Sequence, residues 1–264
     1  MKSHVYVCML MIFFGLSLGC FIPITLKSPD FNPLSVSTSS LKDSIIKGSQ
    51  LGYTSSPPIS ITANSDFQSY ASQGNGTKIS PYVIQGLNIT NTSTADNLID
   101  ITNTDAYFQI KNCFLKGGNR GISLEGVTNG EIANNFISNN TQSAIAVLFS
   151  SDNNTISSNT IINTEDGISI SSCENNLINN NTVINTDGVG IHIYSNSQNN
   201  TLSNNYAQDN ILDGIRLTSS SKNKLINNTL DDNYGAGINL FSSSDHNILL
   251  NNTALNNNGR GIYI

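Results

Sequence analysis

The sequence has few charged residues and no cluster of basic ones. Of its 264 residues, 11% are charged, the formal net charge is -6 and the pI is about 4.8. An ordinary globular chain carries about 25% charged residues. Nothing in this composition would neutralise a row of phosphates, which argues against nucleic acid as a partner. Asn, Ser and Thr replace the missing charge, so uncharged polar partners fit the chain better.

Residues that bind soft metals are scarce as well. All three methionines and two of the four cysteines lie within the first 20 residues. The other two, Cys113 and Cys173, occupy different positions of the repeat described below, so we expect two free thiols that are buried or half-buried. A copper site needs clustered His, Met or Cys. The sequence offers no such cluster, and we expect no cofactor apart from Ca²⁺ if the chain is a lyase.

The N-terminal region differs from the rest of the chain. Residues 1–28 carry Lys2 and then no charged residue from Val5 to Leu26, which is typical of a signal peptide or a membrane anchor. We therefore expect a protein that is secreted or anchored on the extracellular side, with membrane contact only through this segment. Residues 29–57 are rich in Ser, Thr and Pro and lack periodicity, which predicts a linker. We expect an N-terminal cap and first coil over residues 58–97.

An internal repeat of about 23 residues dominates residues 98–264. A "G-I-x-I" pattern recurs with its first residue at Gly121, Ala144, Gly167, Gly190, Gly214, Gly237 and Gly261. An asparagine column follows at Asn112, Asn135, Asn159, Asn181, Asn205, Asn228 and Asn252, and an aliphatic one at Ile132, Ile156, Ile178, Leu202, Leu225 and Leu249. Three short apolar strands per unit predict a β-solenoid. Leucine-rich repeats share the period, but they need a helical or irregular return segment that is missing here.

The repeat predicts an all-β chain folded as a parallel β-helix of seven to eight coils, stacked about 4.8 Å apart. Ile, Leu and Val at equivalent positions would stack in the interior. Asn tolerates the left-handed conformation that a corner needs, and its amide can bond the neighbouring backbone. Equivalent Asn side chains are also expected to hydrogen-bond from coil to coil as a ladder.

The repeated "GI-x-[I/L]" and "NN-x-[I/L]-x-N-N" units between Leu98 and Ile264 resemble the right-handed parallel β-helix repeat families. In particular, they resemble the NosD-like, carbohydrate-binding and sugar-hydrolase group. The segment from Ile59 to Ile89 resembles the cap that opens such helices. The resemblance implies a right-handed helix. It says little about function, because this architecture hosts lyases, hydrolases, epimerases, adhesins and transporter accessory proteins.

The outward positions of the "G-I-x-I" strands suggest a binding surface. The x residue and the residue after the second apolar position point away from the interior. In the last four coils these positions hold His192, Tyr194, Arg216, Asn239, Phe241 and Tyr263. Aromatic rings beside Arg and amide groups suit sugar rings. We therefore expect an exported binding or structural module that contacts glycans, unless this face simply carries assorted residues without a ligand.

A polysaccharide-active enzyme is the alternative. "NTDG" at Asn185–Gly188 resembles the first catalytic motif of polygalacturonases, and Asp187 would then act with Asp209 or Asp213. The "GHG" motif of that family is missing, and only Arg216 in "GIRL" resembles its last motif. A pectate-type lyase would gather Asp166, Asp187 and Asp213 around Ca²⁺ and use Arg216 to abstract a proton. A uronate epimerase is the third enzyme considered. Scattered acids favour binding over catalysis.

The sequence ends with "GRGIYI" at Ile264, inside the strand that would open another coil. Repeat proteins usually cover such an end with a polar cap. We therefore expect either a fragment of a longer protein or self-association through the uncapped last coil.

Overall fold

The protein is described by a computed structural model that covers residues 52–264. The predicted export segment, 1–28, and most of the predicted linker lie outside the described residues. Within residues 52–264, none of the helices is long and apolar enough to cross a membrane.

Three parallel sheets, A, B and C, make up the described part of the chain. Sheet A holds β1 (Thr54–Ser55), β4 (Leu87–Asn91), β7 (Phe114–Gly117), β10 (Phe136–Ser138), β13 (Thr160–Ile162), β16 (Thr182–Ile184), β19 (Tyr206–Gln208), β22 (Thr229–Asp231) and β25 (Thr253–Leu255). Sheet B holds β2 (Ile59–Ile61), β5 (Ile99–Thr104), β8 (Ile122–Val127), β11 (Ile145–Leu148), β14 (Ile168–Ser171), β17 (Ile191–Tyr194), β20 (Ile215–Thr218), β23 (Ile238–Phe241) and β26 (Ile262–Tyr263). Sheet C holds β3 (Tyr82–Gln85), β6 (Phe108–Lys111), β9 (Gly130–Ala133), β12 (Thr155–Ser157), β15 (Leu177–Asn179), β18 (Thr201–Ser203), β21 (Lys224–Ile226) and β24 (Ile248–Leu250).

The chain visits sheets A, B and C in turn, and each strand pairs in parallel with its equivalent one coil later. Ile145 pairs with Ile168, which pairs with Ile191, at the spacing that the repeat predicts. The predicted all-β solenoid of about eight coils is therefore confirmed. The first strand begins at Thr54, inside the segment predicted as a linker, so the solenoid starts earlier than the composition indicates.

The interior is filled by the aliphatic columns of the repeat. Each sheet B strand of the middle coils places two side chains inside, such as Ile168 and Ile170, while sheets A and C contribute one, such as Ile161 and Ile156. All four are completely buried. Each buried aliphatic side chain stabilises the fold by about 1.5–3 kcal/mol.

A 3₁₀ helix, Asn64–Ser69, forms part of the predicted N-terminal cap. Its buried Phe67 ring stacks on Tyr82 with ring centroids 5.0 Å apart and contacts Phe108 at 5.1 Å. These three rings pack together among the aliphatic side chains in the interior of the first coils.

The paired asparagines of the repeat have two different roles. In the pair Asn180–Asn181, Asn180 adopts the left-handed conformation (φ 57°) and is exposed, while Asn181 is 1% exposed. The side-chain amide of Asn181 donates to the Ile156 carbonyl (2.9 Å) and to Asn205 Oδ1 (3.0 Å). The first Asn of each pair turns the corner and the second joins neighbouring coils, which explains why the sequence repeats "NN".

Three asparagine ladders run along the helix, whereas the sequence predicted one. They comprise Asn135, Asn159, Asn181, Asn205, Asn228 and Asn252 between sheets C and A, Asn154, Asn176, Asn200, Asn223 and Asn247 between B and C, and Asn210, Asn233 and Asn257 between A and B. The assignment of Asn112 to the first ladder is wrong. Asn112 turns the corner (φ 53°), and the backbone N–H of Cys113 donates to Asn135 Oδ1 (3.0 Å) in its place.

Both described cysteines are free and buried, as predicted. Burial raises the pKa of Cys113 to about 11 and that of Cys173 to about 12. Each thiol therefore stays protonated at neutral pH and behaves as a small apolar side chain.

Candidate functional site

The strand register brings the six predicted binding residues onto one face of sheet B. His192, Arg216, Asn239 and Tyr263 form one row across β17, β20, β23 and β26. Tyr194, Thr218 and Phe241 form the adjacent row on the same strands. We call these seven residues the sheet B patch. Inward residues such as Ile191 and Ile193 are fully buried, as predicted, whereas His192 and Tyr194 between and after them are only partly buried.

Asp213 anchors the centre of the patch. Its side chain is 5% exposed and lies at the corner that leads into β20. Arg216 Nε donates to Asp213 Oδ2 (2.5 Å), Asn239 Nδ2 donates to the same oxygen (3.0 Å), and the Ala236 N–H donates to Oδ1 (2.7 Å). One buried carboxylate therefore fixes two patch side chains and the backbone of the next coil.

His192 sits beside this ion pair. Its Nε2 lies 3.1 Å from Thr218 Oγ1, and its ring stacks on Tyr194 with centroids 4.6 Å apart. Burial lowers the pKa of His192; the carboxylates of Asp166 and Asp213 oppose this shift, and the Arg216 guanidinium reinforces it. An imidazole with a lowered pKa is mostly neutral at pH 7, so His192 can accept a proton or a hydrogen bond.

Asp166 occupies the corner position of Asp213 two coils earlier. Its Oδ1 accepts a hydrogen bond from the Val189 N–H (2.8 Å), as Asp213 does from Ala236. Its Oδ2 accepts a longer bond from the Ser169 hydroxyl (3.4 Å). Both aspartates thus accept a hydrogen bond from a backbone N–H of the following coil, which is a structural role. Both also stand directly before a Gly in the sequence, which is the shared feature that indicates this role.

The acids of the enzyme alternative lie in different surroundings. Asp187 is exposed, and Asp209 turns a corner with φ 55°. Burial and the neighbouring carboxylates of Asp232 and Asp231 raise the pKa of Asp209, whereas Asp213 faces Arg216. Across residues 52–264, no group of three or more His, Cys, Asp or Glu side chains could hold a metal ion. The calcium candidates Asp166, Asp187 and Asp213 therefore do not form such a group.

The aromatic rings of the patch differ in how accessible their faces are. Tyr194 stacks on His192, and the Arg260 guanidinium lies 4.3 Å from the centroid of Tyr263. Phe241 is 55% exposed, and its ring stacks on no other ring or cation of the described chain. Phe241 is therefore the ring with a free face for an apolar ligand surface. Thr218, the partner of His192, is a patch residue that the sequence reasoning did not select, although it stands in an outward column.

Residues 59–205 and 190–264 match the family model that is described as right handed beta helix region. The chain belongs to the right-handed β-helix family. The predicted handedness is thereby confirmed, while the NosD-like subgroup stays a prediction. No curated protein matches the sequence of this chain.

Among solved structures, a double mutant of the periplasmic alginate epimerase AlgG is 17% identical with a TM-score of 0.56, covering 66% of this chain and 54% of that chain. A single mutant of the same epimerase is 20% identical with a TM-score of 0.53, and the match covers 60% of this chain and 41% of the epimerase chain. The enzymatically active domain of bacteriophage CBA120 tailspike protein 2 is 14% identical with a TM-score of 0.48, covering 76% and 39%. This β-helix spans about half the length of the epimerase. At these identities the similarity shows the fold alone.

Proposed function

We propose that the protein is a glycan-binding β-helix and that the sheet B patch is its binding surface. The observation that carries the proposal is the exposed Phe241 ring, which lies beside the fixed polar side chains of Arg216 and Asn239. A sugar ring offers an apolar face to an aromatic ring and hydroxyl groups to planar donors and acceptors around it.

The patch is organised before any ligand arrives. Asp213 holds Arg216 through Nε and Asn239 through Nδ2, and strand pairing fixes the spacing between their backbones. Long side chains that are already ordered lose little conformational entropy on binding, where each mobile one costs about 0.5–1.5 kcal/mol. The terminal nitrogens of Arg216 stay available to sugar hydroxyls because Asp213 engages Nε.

The comparisons support this proposal at the level of fold. The epimerase that shares the architecture is named for alginate, a polysaccharide, and is named as periplasmic. Together with the predicted export segment, this favours a location outside the cytoplasm for the present protein. Anchoring by residues 1–28 stays a prediction.

The proposal is tested by oligosaccharide binding to the full chain and to Phe241→Ala. Array screening identifies a ligand, and calorimetry then compares the affinities. Phe149→Ala is the matched control, because Phe149 is 58% exposed but lies four coils earlier, after β11. We expect a loss of at least about tenfold in affinity for Phe241→Ala, since about 1.4 kcal/mol of stacking suffices for that change. Equal affinities for the two variants would remove the patch as the binding surface.

A second candidate function is acid–base chemistry on a sugar ring, favoured by the neutral His192 beside Arg216. In such a reaction the neutral His192 would take the proton from the carbon next to a uronate carboxylate and become imidazolium, and a water molecule would give a proton to the opposite face of that carbon, leaving hydroxide that the imidazolium proton neutralises. His192→Gln tests it, with proton NMR following epimer ratios in oligouronates. Conversion by the wild type that is abolished in the variant would establish catalysis. Unchanged oligouronates in the presence of wild-type protein would exclude it for those substrates.

A further inference from the structure

We propose that the sheet B patch selects uncharged sugar chains and discriminates against polyuronates. This inference rests on the proposed glycan binding and names its ligand class. It follows from how the charges around the patch are compensated.

The single cation at the centre of the patch is already neutralised. Arg216 Nε donates to the Asp213 carboxylate at 2.5 Å, and the Asp213 side chain is 5% exposed. The other two donors to that carboxylate, from Asn239 and Ala236, are uncharged. Arg216 therefore presents N–H groups to a ligand without a net positive charge around them.

Acidic residues lie on one side of the patch, at corners that enter the sheet B strands. Asp166 lies at the corner beside His192, and Glu165 and Asp187 are exposed at the corners that enter β14 and β17. The cation at the corner that enters β26, Arg260, lies over the Tyr263 ring. At the corners that enter β14, β17, β20 and β26, and in the patch itself, there are thus four carboxylates and two guanidinium groups, in a chain whose net charge is -6.

A polyuronate carries a carboxylate on every sugar, so a bound chain would place several like charges along this acidic edge. Like-charge contacts of this kind suppress wrong partners at interfaces. An uncharged hexose chain meets no such repulsion, and its hydroxyls complement the groups that are present.

The experiment measures binding of the full chain to six-sugar chains of two classes at low and high salt. Cellohexaose, maltohexaose and mannohexaose are the uncharged probes, and hexamers of mannuronate and galacturonate are the acidic ones. We expect the best uncharged chain to bind at least about tenfold more tightly than either acidic one at about 0.01 M salt, where the Debye length is about 30 Å. The difference should shrink at about 1 M salt, where that length is about 3 Å.

Charge-only variants sharpen the test. The double variant Glu165→Gln, Asp187→Asn changes two exposed side chains and should strengthen binding of the acidic hexamers several-fold while leaving uncharged ones unchanged. Glu131→Gln is the control, because it removes one carboxylate from sheet C and keeps an oxygen for Gln109 Nε2. Tighter binding of an acidic hexamer than of every uncharged one would overturn the inference and leave glycan binding standing. Binding of neither class would overturn the proposed function with it.

Discussion

The asparagine ladder allows two neighbouring, chemically identical residues to be compared. In Asn181→Ala the change removes a buried amide whose Oδ1 accepts from the Asn159 N–H (3.0 Å) and whose Nδ2 donates to the Ile156 carbonyl (2.9 Å). Both backbone groups would then be buried without a partner. Each such group costs about 1–3 kcal/mol, so we expect a loss of about 2–6 kcal/mol.

Asn180→Gly is the matched control for this prediction. Asn180 is exposed with φ 57°, a conformation that Gly adopts without strain. Its side chain makes one hydrogen bond, to Ser158 Oγ (3.1 Å), so the expected loss is below about 1.5 kcal/mol. Urea unfolding followed by circular dichroism compares the free energies of unfolding, and amide exchange at Asn159 reports the local effect. Equal losses for the two variants would refute the division of roles within the "NN" pair.

Three further predictions concern packing, titration and reactivity. Ile191→Ala leaves a cavity in the interior and should lower the free energy of unfolding by about 2–5 kcal/mol, whereas Ile191→Val should lower it by about 0.5–1.5 kcal/mol. Calorimetry compares the two variants, and equal losses would contradict close packing at this position. Burial and neighbouring acids raise the pKa values of Asp209 and Asp231 in the folded protein. The unfolded chain therefore loses these protons more easily, and the free energy of unfolding falls as the pH rises from the ordinary carboxyl pKa to the raised one. Asp232→Asn should therefore raise the melting temperature at pH 7 more than at pH 3, and equal shifts at both pH values would refute this. Cys113 and Cys173 should resist thiol reagents until the chain unfolds, as peptide mapping would show, and rapid labelling of the native protein would contradict their burial.

The repeat made most of the fold predictable, because a solenoid requires the same residue type at the same place in every coil. The stacking of Ile145, Ile168 and Ile191 follows directly from their spacing. The error in the asparagine column arose where one coil departs from the repeat, because Cys113 stands at the ladder position that Asn holds in the following coils. Asn112 and Cys113 are adjacent, and only the corner geometry shows which of them occupies the ladder position.

The site was less predictable than the fold. Strand alternation placed the six predicted patch residues correctly, because that depends on local geometry alone. The hydrogen bond between Asp213 and Asn239 links a corner residue of one coil to a strand residue of the next. It depends on the conformation of the corner, which sets the position of the carboxylate relative to the sheet. Asp209 and Asp213 are four residues apart in the sequence, yet Asp209 lies near the carboxylates of Asp232 and Asp231 whereas Asp213 pairs with Arg216. Spacing along the chain does not contain that information.

The most direct test of the account is a crystal structure of the protein with an uncharged oligosaccharide that binds it. The account predicts a sugar ring stacked on Phe241, with hydroxyls within hydrogen-bond distance of Arg216 and Asn239. A ligand bound at another surface, such as the shallow cleft beside Asn64 and Asp105 at the N-terminal cap, with the sheet B patch unchanged, would contradict it.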